Sequence, residues 1–142
     1  MECISVSPAD SYVALGLIES GLKDALDHSH SLVEYEGIIK NIENGVFGLW
    51  IISNDNLYVG FVITEVMKED KGNWINIAWM YAKPGHSPYE PAYKAIVPLA
   101  KELGFAGVKF ISSREGFERV AKKLGYKKRF VEYVVEDFSE EK

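Results

Sequence analysis

The chain has 142 residues, of which 47% are hydrophobic and 13% aromatic, and this composition is sufficient to fill one core. Its single cysteine, Cys3, excludes an internal disulfide and any metal cluster built from cysteines. The longest apolar runs, such as VFGLWII, are far shorter than the ~20 residues of a membrane-spanning helix, and the first residues lack the pattern of a signal peptide. We therefore expect a soluble protein of the cytoplasm.

The net charge of −5 is distributed unevenly along the chain. Residues 1–71 carry 12 acidic and 4 basic side chains, whereas residues 72–142 carry 9 acidic and 12 basic ones. Nine of these bases lie within residues 101–129, where they either form a solvated helix face or meet phosphates or an acidic partner. Because the protein as a whole is acidic, nucleic-acid binding is not favoured.

One short strand and two helices open the chain. The run ECISV predicts a strand over residues 2–6, and Pro8 fits the first turn of a helix that continues to the HSHS segment at 28–31. The SxxE pattern at 31–34 has the form of a capping box and predicts a second helix, which should end at the Asn–Gly pair of 44–45.

Three β-rich runs and a helix follow. Residues 46–52 and 57–66 predict an antiparallel hairpin, and a polar loop over 68–73 leads to a further strand over 73–82. Both faces of that strand are apolar, one of them including Ile77 and Trp79, which predicts a strand covered on both sides. A helix from about Tyr89 to Leu103 comes next.

The last third reads as a buried strand AGVKFIS, a charged helix REGFERVAKKLGY and a closing strand KKRFVEYVVE. This order of elements resembles that of the GNAT superfamily of N-acetyltransferases. The resemblance implies one α/β (α+β) domain over residues 1–138, with a mixed, mostly antiparallel central sheet flanked by helices. Residues 139–142 are expected to form a disordered C-terminal tail. If the chain is catalytic, the resemblance implies acetyl-CoA as the cofactor and an amine as the substrate.

In GNAT proteins the central strand leads into a glycine-rich loop that holds the pyrophosphate of acetyl-CoA on backbone N–H groups and a helix N-terminus. The corresponding stretch here is KPGHSPYEPAY, and its three prolines supply no N–H donor. Glu90 would also place a negative charge near a polyanion, so we expect this loop to hold pyrophosphate poorly. The residues that the resemblance assigns to cofactor binding are Tyr81, Ala82, Gly85, His86, Ser87 and Arg114.

Two positions on which catalysis in this family usually depends hold unexpected residues. Aligning the family's Gly–aromatic ending on residues 125–126 puts Arg114 at the usual Asn and Ala121 at the usual Tyr, and alanine cannot move a proton. The usual base, a Glu on or near the central strand, has no match within that strand. Glu65 is the nearest substitute, and His86 could serve as a base near neutral pH, so these two are the catalytic candidates.

Plainer interpretations of the same residues stay open. Arg114 could pair with a nearby Glu or cap a turn, His86 has no paired acid in the sequence, and Tyr81 could be a sheet-face residue. His28 and His30 form an HSH pair without a visible third ligand, so we assign no metal site.

The REGFER segment, residues 114–119, resembles the small GNAT-like proteins encoded by tailed bacteriophages. This resemblance implies an accessory or virion-associated component that binds a protein partner, as a homo-oligomer or in a phage particle, located in the host cytoplasm or the virion. The alternative is an active acetyl-CoA-dependent N-acetyltransferase with a non-standard site. A third reading is an unrelated α/β binding domain, which would lack the splayed gap that GNAT proteins show beside the central strand.

Overall fold

A five-stranded sheet organises the described residues, which are 1–27, 35–110 and 122–126 of the computed structural model. Its first four strands pair antiparallel, and the fifth pairs with the fourth in parallel. The strands lie side by side in chain order: β1 (Glu2–Val6), β2 (Phe47–Asn54), β3 (Leu57–Glu69), β4 (Gly72–Ala82) and β5 (Gly107–Phe110). The predicted mixed, mostly antiparallel sheet is therefore confirmed.

Helices cover both faces of this sheet. A single 3-10 turn begins at Pro8 and leads into α1 (Ser11–Asp27), which packs with α2 (Tyr35–Glu43) on one face, and α3 (Tyr89–Glu102) packs on the other. The predicted HSHS helix end and capping box lie outside the described residues. In the described ranges, no helix is long and apolar enough to cross a membrane.

Two apolar layers hold the helices to the sheet. Under α1 and α2 the fully buried side chains include Ile18, Leu22 and Phe61, while under α3 they include Val62 and Ile96. Because β4 contributes side chains to both layers, it is covered on both sides, as its two apolar faces predicted.

A β-bulge interrupts β4 at Ala78. The register between β3 and β4 shifts between Ile63 and Thr64, and Ala78 is left as the extra residue. The bulge reverses the alternation of side chains, so Ile77 faces α3 whereas Trp79 faces α1. The prediction that these two side chains share one face is wrong for this reason.

The hairpin of β3 and β4 is longer than the sequence pattern predicts. A loop was expected over 68–73, but the turn is confined to residues 70–71, and Lys68 lies opposite Asn73 within the ladder. β2 pairs with β3 only as far as Glu65. Polar residues are tolerated in the part of the β3–β4 hairpin that extends past this point, because most of its side chains reach solvent.

Candidate functional site

The loop over residues 83–88 carries the chain from β4 to α3. The N–H of His86 donates to the carbonyl oxygen of Lys83 at 3.1 Å, which closes a turn. Gly85 lies in this turn with a φ of +87°, a conformation that glycine adopts without strain. Gly85, His86 and Ser87 are all exposed and adjacent, directly after Ala82. The structure therefore brings together four of the residues predicted to bind a cofactor.

The N-terminus of α3 follows that loop, and its capacity to hold an anion is reduced. Pro88 is the N-cap residue and makes no side-chain capping bond, while Pro91 removes one N–H donor from the first turn. The carboxylate of Glu90 is exposed and lies 2.8 Å from the ammonium of Lys94. The hydrogen bond from Lys94, followed by its charge, lowers the pKa of Glu90, so this side chain is ionised at neutral pH.

Tyr81 lies on the face of β4 that meets α1, and its ring is wedged between neighbours. It stacks on Phe61 with 5.9 Å between ring centroids and 24° between planes. A Cβ added to Gly21 of α1 would lie 2.4 Å from Cδ2 of Tyr81. The helix backbone therefore packs directly on the Tyr81 ring, and position 21 has no room for a side chain. These contacts give Tyr81 a packing role at the end of the central strand.

Tyr58 stands beside Tyr81 and was not singled out in the sequence. Its hydroxyl is buried and has no hydrogen-bond partner within the described part of the chain. Burial, with a smaller contribution from Tyr81, raises its pKa to about 12, so the phenol stays protonated at neutral pH. The ammonium of Lys83 lies 5.2 Å from the centre of the ring. Nothing in its β-rich surroundings distinguishes Tyr58 from an ordinary sheet residue.

Glu65 and Asn76 form a polar pair on the face of the sheet that also carries Tyr58 and Tyr81. They lie directly opposite each other on β3 and β4, and Nδ2 of Asn76 donates to Oε1 of Glu65 at 2.9 Å. The Oδ1 atom of Asn76 is buried and accepts no hydrogen bond among the described residues. A carboxylate and an unpaired amide oxygen side by side are hydrogen-bond acceptors, and together they suit a ligand with several N–H donors, such as an ammonium group.

The structure does not bring the two catalytic candidates together. Glu65 lies opposite Asn76, whereas His86 lies in the loop after Ala82, and the six steps along the strand from Asn76 to Ala82 span about 20 Å. Glu65 therefore lies beside the middle of β4, whereas His86 lies beyond its end. Arg114, the remaining candidate, lies outside the described residues.

The predicted gap beside the central strand also concerns residues outside that range. The parallel pairing of β4 with β5 covers Trp74 to Ile77 opposite Gly107 to Phe110. The rest of the predicted strand AGVKFIS, from residue 111 onward, lies outside the described residues, as does Ala121. The described pairing thus ends at the residue before the bulge at Ala78.

No metal centre is visible in the described ranges, where no group of three or more His, Cys, Asp or Glu side chains could hold an ion. His28 and His30 lie outside those ranges. Cys3 is half-buried on β1, and burial raises the pKa of its thiol to about 11. At neutral pH this cysteine is therefore a protonated packing residue and a poor nucleophile.

No family model and no curated protein matches the sequence, but solved structures match it over nearly its whole length. A probable acetyltransferase superposes with a TM-score of 0.72 at 11% identity, and the match covers 96% of this chain and 99% of that protein. An aminoglycoside acetyltransferase from an uncultured soil metagenomic sample, in complex with sisomicin, gives a TM-score of 0.69 at 14% identity and 95% coverage of both chains.

A third similar structure is a predicted acetyltransferase from Clostridium acetobutylicum, which contains acetyl-CoA. It gives a TM-score of 0.63 at 16% identity, with 96% of each chain covered. At identities this low the likeness shows the fold alone, and the activity has to be argued from the side chains at the site.

Proposed function

We propose that this chain, which has the GNAT acetyltransferase fold, works by binding a partner and not by turning over acetyl-CoA. The observation that carries the proposal is the start of α3, where a pyrophosphate would have to sit. Pro88 and Pro91 supply no N–H donor there, and Glu90 adds a negative charge. A fold built to hold a polyanion thus carries a helix N-terminus that holds one poorly.

The missing donor is a substantial loss. A hydrogen bond from an N–H to a charged group contributes about 1.5 to 3 kcal/mol, so the proline at position 91 alone weakens binding of a pyrophosphate by more than tenfold. The charge of Glu90 acts in the same direction. The ammonium of Lys94, 2.8 Å from Glu90, offsets part of this charge, but because it is held there it is not free to meet the pyrophosphate.

The partner in this proposal is a protein, and the specific case is a component of a tailed-phage particle. The resemblance of the REGFER segment, residues 114–119, to small phage proteins supports this case. These residues lie outside the described ranges, so the support comes from the sequence. The protein would then act in the host cytoplasm or in the virion.

Titration of the purified protein with acetyl-CoA by isothermal calorimetry tests the proposal. Because Pro88 and Pro91 supply no N–H donor and Glu90 adds a negative charge, we expect no saturable binding below about 1 mM, a free energy weaker than about −4 kcal/mol. A circular dichroism spectrum of the same sample controls for folding. Micromolar binding, together with release of CoA in the presence of an amine, would overturn the proposal.

The pair of Glu65 and Asn76 favours a second candidate function, an acetyl-CoA-dependent N-acetyltransferase with a non-standard site. A primary ammonium would donate to Glu65 and to the unpaired Oδ1 of Asn76, and Glu65 would accept one proton. The free amine would attack the thioester carbonyl, forming the C–N bond as the C–S bond breaks, and the leaving thiolate would take up a proton. The oxyanion donor that the resemblance suggests, a backbone N–H near Tyr81, lies about 16 Å along β4 from Asn76 and would not serve an amine held by this pair.

The Glu65→Gln variant distinguishes the acetyltransferase hypothesis from the partner-binding hypothesis. Glutamine keeps an oxygen for the bond from Asn76 but cannot accept a proton, so any transfer activity should fall by about 10² to 10⁴-fold. The transfer activity is measured as the release of CoA thiol from acetyl-CoA in the presence of each of a panel of primary amines. Glu43→Gln, the same change at the exposed end of α2, is the matched control. An unchanged rate in Glu65→Gln would remove Glu65 from the mechanism.

A further inference from the structure

Strand β1 forms one edge of the sheet. In the order of strands it is paired only with β2, so its outer side meets no strand among the described residues. The backbone N–H and C=O groups on that side are satisfied either by water or by another strand. A second strand that replaces the water would extend the sheet.

The features that usually protect an edge strand from such pairing are missing from β1. Its sequence, ECISV, contains no proline and no basic residue, and it pairs with β2 without a register shift. Its one charged side chain, Glu2, lies at the start of the strand. Ile4, in the middle, is apolar and 57% exposed. The outer edge of β1 is therefore suited to pairing.

The sequence of β1 fits a second copy of itself. When two β1 strands pair antiparallel about a two-fold axis through Ile4, the two Ile4 side chains lie next to each other on one face. Cys3 of one copy then lies opposite Ser5 of the other. Glu2 lies opposite Val6, so it has no carboxylate as its direct neighbour. Each exposed isoleucine is covered by the other.

The charges on β1 also favour this antiparallel arrangement. The two Glu2 side chains are offset by four residues along the paired strands, about 13 Å. This offset exceeds the Debye length of about 10 Å at 0.1 M salt, so their repulsion is screened. A parallel pairing in register would instead place the two carboxylates side by side. Only the antiparallel arrangement joins the apolar centres and separates the acids.

We propose that this chain forms a symmetric dimer in which two β1 strands pair antiparallel about Ile4 and join the two sheets into one. The helices α1 and α2 of both copies lie on one face of the joined sheet, and α3 of both copies lies on the other. None of the residues of the candidate functional site lies on β1. Dimer formation therefore does not require binding or turnover of acetyl-CoA.

The interface is small, so the dimer is expected to be weak. Five paired residues on each copy, with one isoleucine at the centre, bury less than the ~1,200 Å² of a standard interface. We expect a dissociation constant above about 1 µM, and sedimentation velocity between about 10 µM and 1 mM chain should show monomer giving way to dimer. A single monomeric species over this whole range would overturn the proposal.

The Ile4→Lys variant tests whether the copies meet at β1. The substitution removes the apolar contact and places two ammonium groups side by side at the axis, so the dissociation constant should rise at least tenfold. Val66→Lys is the matched control, because Val66 is also a β-branched strand residue, 55% exposed, and lies on β3. A circular dichroism spectrum of each variant controls for folding. An unchanged dissociation constant in Ile4→Lys would place the interface elsewhere and refute the proposal.

Disulfide formation tests the register and keeps the charge of the strand unchanged. Residues directly opposite on antiparallel strands have Cα atoms about 4.5 to 5.5 Å apart, which suits a disulfide. With oxidised glutathione, Ile4→Cys should therefore give a covalent dimer at least tenfold faster than Val66→Cys. The wild type should give none, because its two Cys3 residues are offset by two positions, with Cα atoms about 8 Å apart. Equal rates for the two variants would contradict the proposed register.

Discussion

Alanine at Gly21 is expected to lower the free energy of unfolding by about 2 kcal/mol, whereas alanine at Gly16 of the same helix is expected to raise it by about 0.5 to 1 kcal/mol. At Gly21 the new Cβ would lie 2.4 Å from Cδ2 of the Tyr81 ring. At Gly16 it would meet nothing within 4 Å, so only the gain in helix propensity remains.

The ring of Tyr81 cannot move away from a side chain at Gly21. It stacks on Phe61, and the backbone of Tyr81 is itself closely approached by β3, since a Cβ on Gly60 would lie 2.1 Å from the Tyr81 carbonyl oxygen. The strain must therefore be taken up by a shift of α1 relative to the sheet. Such a shift would disturb the buried contacts of Ile18 and Leu22 in the same layer.

Urea unfolding of the two glycine variants and the wild type measures this contrast. Because the substitution is identical and both positions lie in α1, differences in helix propensity cancel between the variants. The predicted difference of about 2.5 to 3 kcal/mol would also separate their melting temperatures by several degrees in a thermal scan. Equal stability of the two variants would show that helix α1 does not rest on the Tyr81 ring.

Much of the fold follows from local signals in the sequence. Pro8 marks the start of the first helical segment, and Gly45 ends α2 with a φ of +75°, as the Asn–Gly pair predicts. The polar link before Leu57 forms a turn in which Asp55 and Asn56 both have positive φ, a conformation that Asp and Asn tolerate. Each of these features depends on a few neighbouring residues, which is why the sequence predicts them.

The pairing between strands could not be predicted in the same way. Asn76 stands out as a polar residue in an apolar strand, but its partner Glu65 is 11 positions away, and only the register brings them together. That register depends on a turn of two residues, at 70–71, where a loop of six was expected. It also depends on the bulge at Ala78, for which the sequence carries no glycine or proline as a marker.

The double variant Glu90→Gln, Pro91→Ala is expected to bind acetyl-CoA at least tenfold more tightly than the wild type. The alanine restores an N–H donor in the first turn of α3, which is worth about 1.5 kcal/mol or more against a charged group. The glutamine removes a carboxylate that is ionised at neutral pH and frees Lys94 to face an anion. Calorimetric titration of both proteins at the same salt concentration measures the gain.

Pro98→Ala is the control, because it also removes a proline from α3 but lies two turns further along the helix. A general stabilisation of α3 would raise affinity in both variants, whereas a local effect on the anion site appears only at 90–91. If affinity for acetyl-CoA rises only in the double variant at 90–91, the chain keeps the rest of an acetyl-CoA site and has lost only the part that binds the pyrophosphate. If the double variant binds no better than the wild type, the weakness has to lie elsewhere, and the start of α3 no longer supports a binding function over catalysis.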